Sequence, residues 1–102
     1  MKKALFICNQ NQHRSKTAEY LFKDLFETKS AGLFNEKPVC KSDISWADIV
    51  FVMEEHQRIE ISKRFPCIYL QKRILNMEVP DIFRRDQPEL VELLKKSMLD
   101  LF

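Results

Sequence analysis

Two short apolar runs constrain the fold of this chain more than any other feature of its sequence. Residues 3–8 and 47–53 are nearly continuous stretches of aliphatic and aromatic side chains, as in strands buried on both faces of a sheet. Helical patterns follow both runs: apolar residues recur at helical spacing over 18–26, and the charged segment 54–65 ends before Pro66. Strands alternating with helices predict βαβ units and a parallel sheet covered on both faces.

Weaker signals complete the predicted order of elements. Residues 29–32 are expected to form a short strand that ends at the only glycine, residues 33–45 a loop, and residues 72–79 the last strand. Residues 67–70 fit a helix end, a strand or a loop. Asp-Gln-Pro-Glu at 86–89 resembles a capping box with proline in the first turn, so Asp86 is expected to cap the final helix. We predict a single α/β domain over residues 1–102, a three-layer α/β/α arrangement around a central parallel sheet of about four strands.

Composition excludes several classes of protein. Seventeen Lys and Arg against fifteen Asp and Glu give a net charge of +2, too balanced for a chain built mainly to bind nucleic acid or an anionic membrane. No apolar run approaches the roughly 20 residues of a membrane span, and the N-terminal run is too short for a signal peptide. The three cysteines (Cys8, Cys40 and Cys67) form no Cys-x-x-Cys pair, so structural zinc is not expected. These features predict a cytoplasmic protein with reduced thiols.

The segment after the first apolar run has the pattern of an anion-binding loop. Cys8 is followed by five polar residues, then by Arg14 and Ser15, and a helix is predicted from Ser15 as its N-cap. Backbone N–H groups of such a loop and the positive end of the helix can converge on one anion, and the planar guanidinium of Arg14 matches two phosphate oxygens. The same dipoles favour a thiolate on Cys8, which Ser15 can hydrogen-bond. The predicted substrate-binding residues are Asn9, Gln10, Asn11, Gln12, His13 and Ser15.

The Cys-x5-Arg spacing alone is weak evidence, because it occurs twice. Cys67 and Arg73 repeat it, but apolar residues fill that interval and a predicted strand follows instead of a helix. We interpret the second copy as accidental, and the first as functional because a buried strand precedes it and a helix follows it.

The chain resembles the low-molecular-weight protein tyrosine phosphatases, and specifically a compact, shortened branch of that family. The resemblance rests on the motif just described and on residues 30–32, 48–53 and 79–83, which follow in the family's order. It implies the phosphotyrosine protein phosphatase I-like fold and a phosphomonoester hydrolase. By the same resemblance, Cys8 attacks phosphorus to form a phosphocysteine, Arg14 binds phosphate, and Asp81 is the general acid and base. It further implies a left-handed Asn11, no metal or other cofactor, and a phosphorylated protein or small aryl phosphate as substrate.

Four departures from the family pattern concern the rim of the site. Gln10 stands where the family usually has glycine, His13 where ordinary members often have a second cysteine, and Ile82 where a proline usually follows the acid. The region between Gly32 and Ile44 is shorter than in ordinary members. These changes bear on substrate choice and turnover more than on the phosphate site itself.

Two alternative functions remain open at this stage. An arsenate reductase can use the same fold and anion loop, but it needs further cysteines as a disulfide relay, for which only Cys40 and Cys67 are available. A non-catalytic phosphate-binding module is favoured if Gln10 obstructs attack or if Asp81 points away. His56, within a charged helix, is interpreted as a surface residue, and Phe34 and Phe83 as either rim or core.

Overall fold

A four-stranded parallel sheet organises the computed structural model, which describes residues 1–102. The strands are β1 (Lys3–Cys8), β2 (Glu27–Gly32), β3 (Ile49–Val52) and β4 (Arg73–Asn76). Their order across the sheet is β2-β1-β3-β4, and all neighbouring pairs are parallel. The central strand β1 is therefore flanked on both sides, which explains why its sequence is almost entirely apolar.

Five helices cover the two faces of the sheet. They are α1 (Arg14–Leu21), α2 (Lys41–Trp46), α3 (Glu55–Arg64), α4 (Pro66–Tyr69) and α5 (Pro88–Leu101). One core cluster joins α1 and α5 to the sheet, and a second joins α2, α3 and α4 to the opposite face. The predicted three-layer α/β/α fold with four parallel strands is confirmed.

Alternation along β1 divides the core between these two layers. Phe6 points towards α1 and α5, while Leu5 and Ile7 point towards the other three helices. The rings of Phe6 and Phe51 stack with centroids 4.9 Å apart across the β1–β3 pair. The core thus fixes the central strand and places Cys8, its last residue, at the carboxyl edge of the sheet.

Three loop and strand predictions need correction. Residues 33–45 are not all loop, because α2 begins at Lys41; the Cys40 N–H donates to Asp43 Oδ2 at 2.9 Å, and Ile44 is fully buried. The last strand ends at Asn76, since Glu78 adopts a left-handed φ of 55° that interrupts the extended backbone. Strand β2 begins two residues earlier than predicted, at Glu27.

The predicted helix caps were wrong. Helix α1 has His13 at its N-cap, and Ser15 lies inside the first turn. Helix α5 has Gln87 at its N-cap, while Asp86 takes a left-handed φ of 60° and its side chain makes no cap. Helix α1 also ends earlier than its apolar pattern indicated, at Leu21. The ambiguous residues 67–70 mostly belong to the short helix α4.

None of the helices combines the length and the apolar character needed to cross a lipid bilayer.

Candidate active site

The loop between β1 and α1 closes into a compact turn at the carboxyl edge of the sheet. Cys8 is 3% exposed at the end of β1, and Arg14 opens α1. Asn11 has a φ of 55°, so the predicted left-handed conformation is confirmed; asparagine tolerates it better than most residues. This turn lets the chain reverse between the buried strand and the helix.

A chain of hydrogen bonds runs behind the loop from Cys8 to Asn11. The Sγ of Cys8 lies 2.9 Å from the Oγ of Ser15, and that hydroxyl donates to Asn11 Oδ1 at 2.7 Å. Ser15 has one hydroxyl hydrogen, so when Asn11 receives it the thiol of Cys8 is the donor to Ser15. When Cys8 is a thiolate, the hydroxyl of Ser15 can turn its hydrogen to the sulfur instead. Ser15 can therefore hydrogen-bond Cys8 both as a thiol and as a thiolate.

Arg14 is almost completely buried and already has two partners. Its Nη1 donates to Glu54 Oε2 at 2.9 Å and to the carbonyl oxygen of Val79 at 2.7 Å, while its side chain is 2% exposed. Glu54, at the end of the β3 segment, supplies the compensating charge that a buried guanidinium requires. This role of Glu54 was not predicted, although its position directly after a buried strand, at the same edge of the sheet, was the available signal.

Asp81 approaches the same guanidinium from the segment that follows β4. Its Oδ2 lies 3.9 Å from Arg14 Nη2, and its side chain is 58% exposed. The parallel topology thus joins Asp81 to the loop that holds Cys8. Asp86, the other carboxylate of this segment, does not line the cleft.

A cleft of about 190 Å³ opens at this point, and all but one of its lining side chains are polar. The structure brings seven of the nine predicted site residues into its wall: Cys8, Asn9, Gln10, Gln12, His13, Arg14 and Asp81. The other two, Asn11 and Ser15, do not line the cleft, because their side chains support the loop from behind. No aromatic residue lines it either, so Phe34 and Phe83 are not part of its wall.

The N-terminus of α3 supports the loop from its other side. Asn9 Oδ1 accepts hydrogen bonds from Nε2 of Gln57 and, in its Nε2–H tautomer, from His56, each at 3.0 Å. Gln57 is fully buried, and its Oε1 accepts from the backbone N–H groups of Met53 and Glu54. His56 is thus exposed, as predicted, yet it contacts the loop. Sequence reasoning did not identify Gln57, since a glutamine inside a charged helix gives no signal of burial.

Gly32 has no side chain, which leaves space for the loop between β1 and α1. Register pairs it with Cys8, and a Cβ atom at Gly32 would lie 2.8 Å from the Cγ and Oδ1 of Asn35 and 3.1 Å from the backbone nitrogen of Asn11. The only glycine of the chain therefore stands where the backbone of the anion loop passes close to the end of β2.

All three cysteines are free thiols, and Cys40 and Cys67 are exposed away from the cleft. Cys40 contacts Ser42 and Asp43 instead. No group of three or more His, Cys, Asp or Glu side chains has the geometry to hold a metal ion.

Known proteins similar to this chain were found by comparing structures and not by comparing sequences. No protein-family profile matches the chain, and no curated protein sequence matches it. Solved structures do match over nearly the whole chain. A low-molecular-weight protein tyrosine phosphatase from Streptococcus pyogenes superposes with a TM-score of 0.80 at 19% identity, covering 99% of this chain and 91% of its own.

Two further solved structures show how varied the proteins with this architecture are. The tyrosine phosphatase Wzb from Escherichia coli K30, in complex with phosphate, gives a TM-score of 0.77 at 21% identity and covers 99% of this chain and 96% of its own. YwlE arginine phosphatase from Geobacillus stearothermophilus gives a TM-score of 0.75 at 21% identity and covers 99% of this chain and 93% of its own. The chain has the fold of the low-molecular-weight protein tyrosine phosphatases.

Proposed function

We propose that this chain is a cysteine-dependent phosphomonoester hydrolase, a protein tyrosine phosphatase that acts on phosphotyrosine or another aryl phosphate. One observation carries the proposal: a buried cysteine, a buried arginine and a carboxylate line one polar cleft at the carboxyl edge of the sheet. The substrate phosphate would lie on the loop backbone of residues 9–13 and on the guanidinium of Arg14. That environment neutralises phosphate charge without a metal or other cofactor.

The reaction would proceed in two displacements. The thiolate of Cys8 attacks phosphorus, the bond from phosphorus to the leaving oxygen breaks, and the carboxyl proton of Asp81 passes to that oxygen. Asp81, now a carboxylate, then takes a proton from water as the water attacks the phosphocysteine. The phosphorus–sulfur bond breaks, inorganic phosphate leaves, and the hydroxyl of Ser15 donates a hydrogen bond to the returning thiolate.

A second candidate substrate is phosphoarginine. The wall of the cleft contains amides, an imidazole and a carboxylate but no Phe, Tyr or Trp side chain, which suits a polar substrate group as well as a phenyl ring. One protein with this fold is described as an arginine phosphatase. The two substrates would use the same nucleophile and phosphate site. With phosphoarginine, the bond that breaks in the first displacement joins phosphorus to nitrogen, and the proton of Asp81 passes to the leaving guanidino nitrogen.

Arsenate reduction is less well supported. Neither Cys40 nor Cys67 lines the cleft, so no second thiol stands at the site to form a disulfide with Cys8.

Free thiols and an essential thiolate fit a reducing compartment, and we propose a cytoplasmic location on that ground.

The test is hydrolysis of para-nitrophenyl phosphate with EDTA present, followed by phosphotyrosine and phosphoarginine peptides at equal concentration. We expect metal-independent turnover that is lost in Cys8→Ala. The variant carrying both Cys40→Ser and Cys67→Ser should keep it. Phosphate binding without turnover would favour the non-catalytic module. Thiol-dependent arsenate reduction that the double variant abolishes would favour the reductase.

A further inference from the structure

The segment that carries Asp81 has no regular secondary structure of its own. Residues 77–87 form neither helix nor strand, Ile82 is 75% exposed, and no proline follows Asp81 to stiffen the chain. A general acid must nevertheless be held within hydrogen-bond reach of the leaving oxygen. Something outside the segment therefore has to fix its path across the cleft.

Backbone contacts hold the segment on its N-terminal side. Val79 is fully buried; its N–H donates to the carbonyl of Met53 at 2.8 Å, and its carbonyl accepts from Arg14 at 2.7 Å. These contacts fix the chain two residues before Asp81. On the other side of Asp81, the partly buried Phe83 packs against the core cluster that joins α1 and α5 to the sheet, and the backbone beyond it is held by polar contacts.

Two side chains of the α1 N-terminus hold the other side. Nδ1 of His13 accepts the backbone N–H of Arg85 at 3.1 Å, and Oγ1 of Thr17 accepts the backbone N–H of Asp86 at 2.8 Å. His13 and Thr17 are four residues apart, so they lie on the same side of the helix, one turn apart. The backbone turns at Asp86, which has a left-handed φ. In this turn the adjacent N–H groups of Arg85 and Asp86 reach the two acceptors.

We propose that His13 and Thr17 are positioning residues that hold the segment after Asp81 against the phosphate loop, so that the acid faces the leaving oxygen. The inference rests on the proposed function. It also gives a role to His13, which stands where ordinary members of the resembled family often have a second cysteine. An imidazole accepts a backbone hydrogen bond through Nδ1 far better than a thiol does. Thr17 is 1% exposed and does not line the cleft, so its contribution would act entirely through the segment.

The test compares two substrates of different leaving-group quality. Thr17→Val keeps the shape and removes the acceptor, whereas Thr17→Ser keeps the hydroxyl. We expect Thr17→Val to lower kcat on a phosphotyrosine peptide about 5- to 10-fold, the effect of one lost hydrogen bond, with little change on para-nitrophenyl phosphate, which leaves readily without a proton. Thr17→Ser should stay near wild type on both substrates.

His13 provides a second pair of variants should Thr17→Val fail to fold, which its thermal unfolding would reveal. His13 also lines the cleft, so His13→Ala should lower turnover of both substrates, with the larger fall on the phosphotyrosine peptide. His13→Asn should restore most of the activity, because its amide oxygen can accept the same N–H.

A double-mutant cycle with Asp81→Asn separates this inference from the proposed function. If Thr17 acts through Asp81, Thr17→Val should cause no further loss in the Asp81→Asn background. Equal losses on the two substrates, or full additivity with Asp81→Asn, would overturn the positioning role while leaving the phosphatase in place. Absence of a defect in Asp81→Asn itself would overturn the positioning role and the assignment of Asp81 as the acid, while the phosphocysteine on Cys8 is tested separately.

Discussion

At the scale of single residues, the site depends on how a buried positive charge is balanced. Arg14 is 2% exposed and has Glu54 as its near partner, with Asp81 farther away at 3.9 Å. In the absence of substrate, the carboxylate of Glu54 therefore balances much of the positive charge of Arg14. A bound phosphate would balance the same charge. The stability of the empty protein and its affinity for phosphate should be linked through this carboxylate.

Replacing Glu54 by Gln tests that link. The amide keeps the shape but removes the charge beside a buried guanidinium, so we expect the free energy of unfolding to fall by roughly 1–2 kcal/mol. Phosphate should then raise the melting temperature of the variant more than that of the wild type. The exposed neighbour provides the control, since Glu55→Gln should change neither quantity much. A phosphate-induced shift that is smaller in Glu54→Gln would contradict the account.

The close approach at Gly32 leads to a second residue-scale prediction. In Gly32→Ala the new Cβ would lie 2.8 Å from the side chain of Asn35, which has to move, and 3.1 Å from the Asn11 nitrogen, so the loop backbone has to give slightly. Overpacking of this kind costs about 1–3 kcal/mol, and we expect kcat/KM for para-nitrophenyl phosphate to fall about 10-fold. Asn35 Oδ1 is buried and accepts no hydrogen bond, so adding Asn35→Ala should relieve the clash and recover part of the activity. A Gly32→Ala enzyme with wild-type kinetics would show that the contact does not constrain the loop.

At the scale of elements, helix α3 supports the loop through one buried amide. Gln57 joins the helix start to Asn9 with three hydrogen bonds, and it has no exposed surface. The apolar pattern of α3 is weak, so this helix owes its position to polar contacts as well as to Ile61 and the core around it.

Gln57→Met should therefore destabilise the chain and weaken its phosphate site together. Methionine fills the space but leaves two backbone N–H groups without their acceptor, and we expect a loss of about 2–3 kcal/mol in the free energy of unfolding. We also expect a higher KM for para-nitrophenyl phosphate because Asn9 loses a partner. Chemical denaturation and steady-state kinetics measure the two effects. Gln71→Met, at an exposed position, is the control and should show neither; equal behaviour of the two variants would refute the role of Gln57.

Elements defined by apolar periodicity were predicted well, and those defined by polar contacts were not. Strands β1 and β3 are apolar because they are buried on both faces, so their sequences identify them. Helix α2 was missed because Asp43 caps it through a backbone contact that composition does not indicate. The caps assigned to Ser15 and Asp86 failed for different reasons: the Ser15 hydroxyl contacts Cys8, and Asp86 has a left-handed φ of 60° where an N-cap has an extended backbone.

At the scale of the whole molecule, the parallel sheet brings the site together. Each of the four strands ends at the same edge, and Cys8, Gly32, Glu54 and Asp81 follow or end these strands in turn. The sequence therefore predicted that Cys8 and Asp81 would meet, since ligands of such sheets bind beyond the carboxyl ends of the strands. It did not predict that Glu54, Gln57 and Thr17 support the site, because each acts through a contact between residues more than 35 positions apart.

The central claim is that Cys8 carries the phosphoryl group during turnover. The direct measurement is rapid acid quenching of the enzyme during hydrolysis of para-nitrophenyl phosphate, followed by mass spectrometry of the peptide that contains residues 8–14. We predict one added phosphoryl group on Cys8, formed before phosphate is released, and no labelled peptide in Cys8→Ala. Turnover without a phosphorylated Cys8, or hydrolysis that persists in Cys8→Ala, would contradict the account.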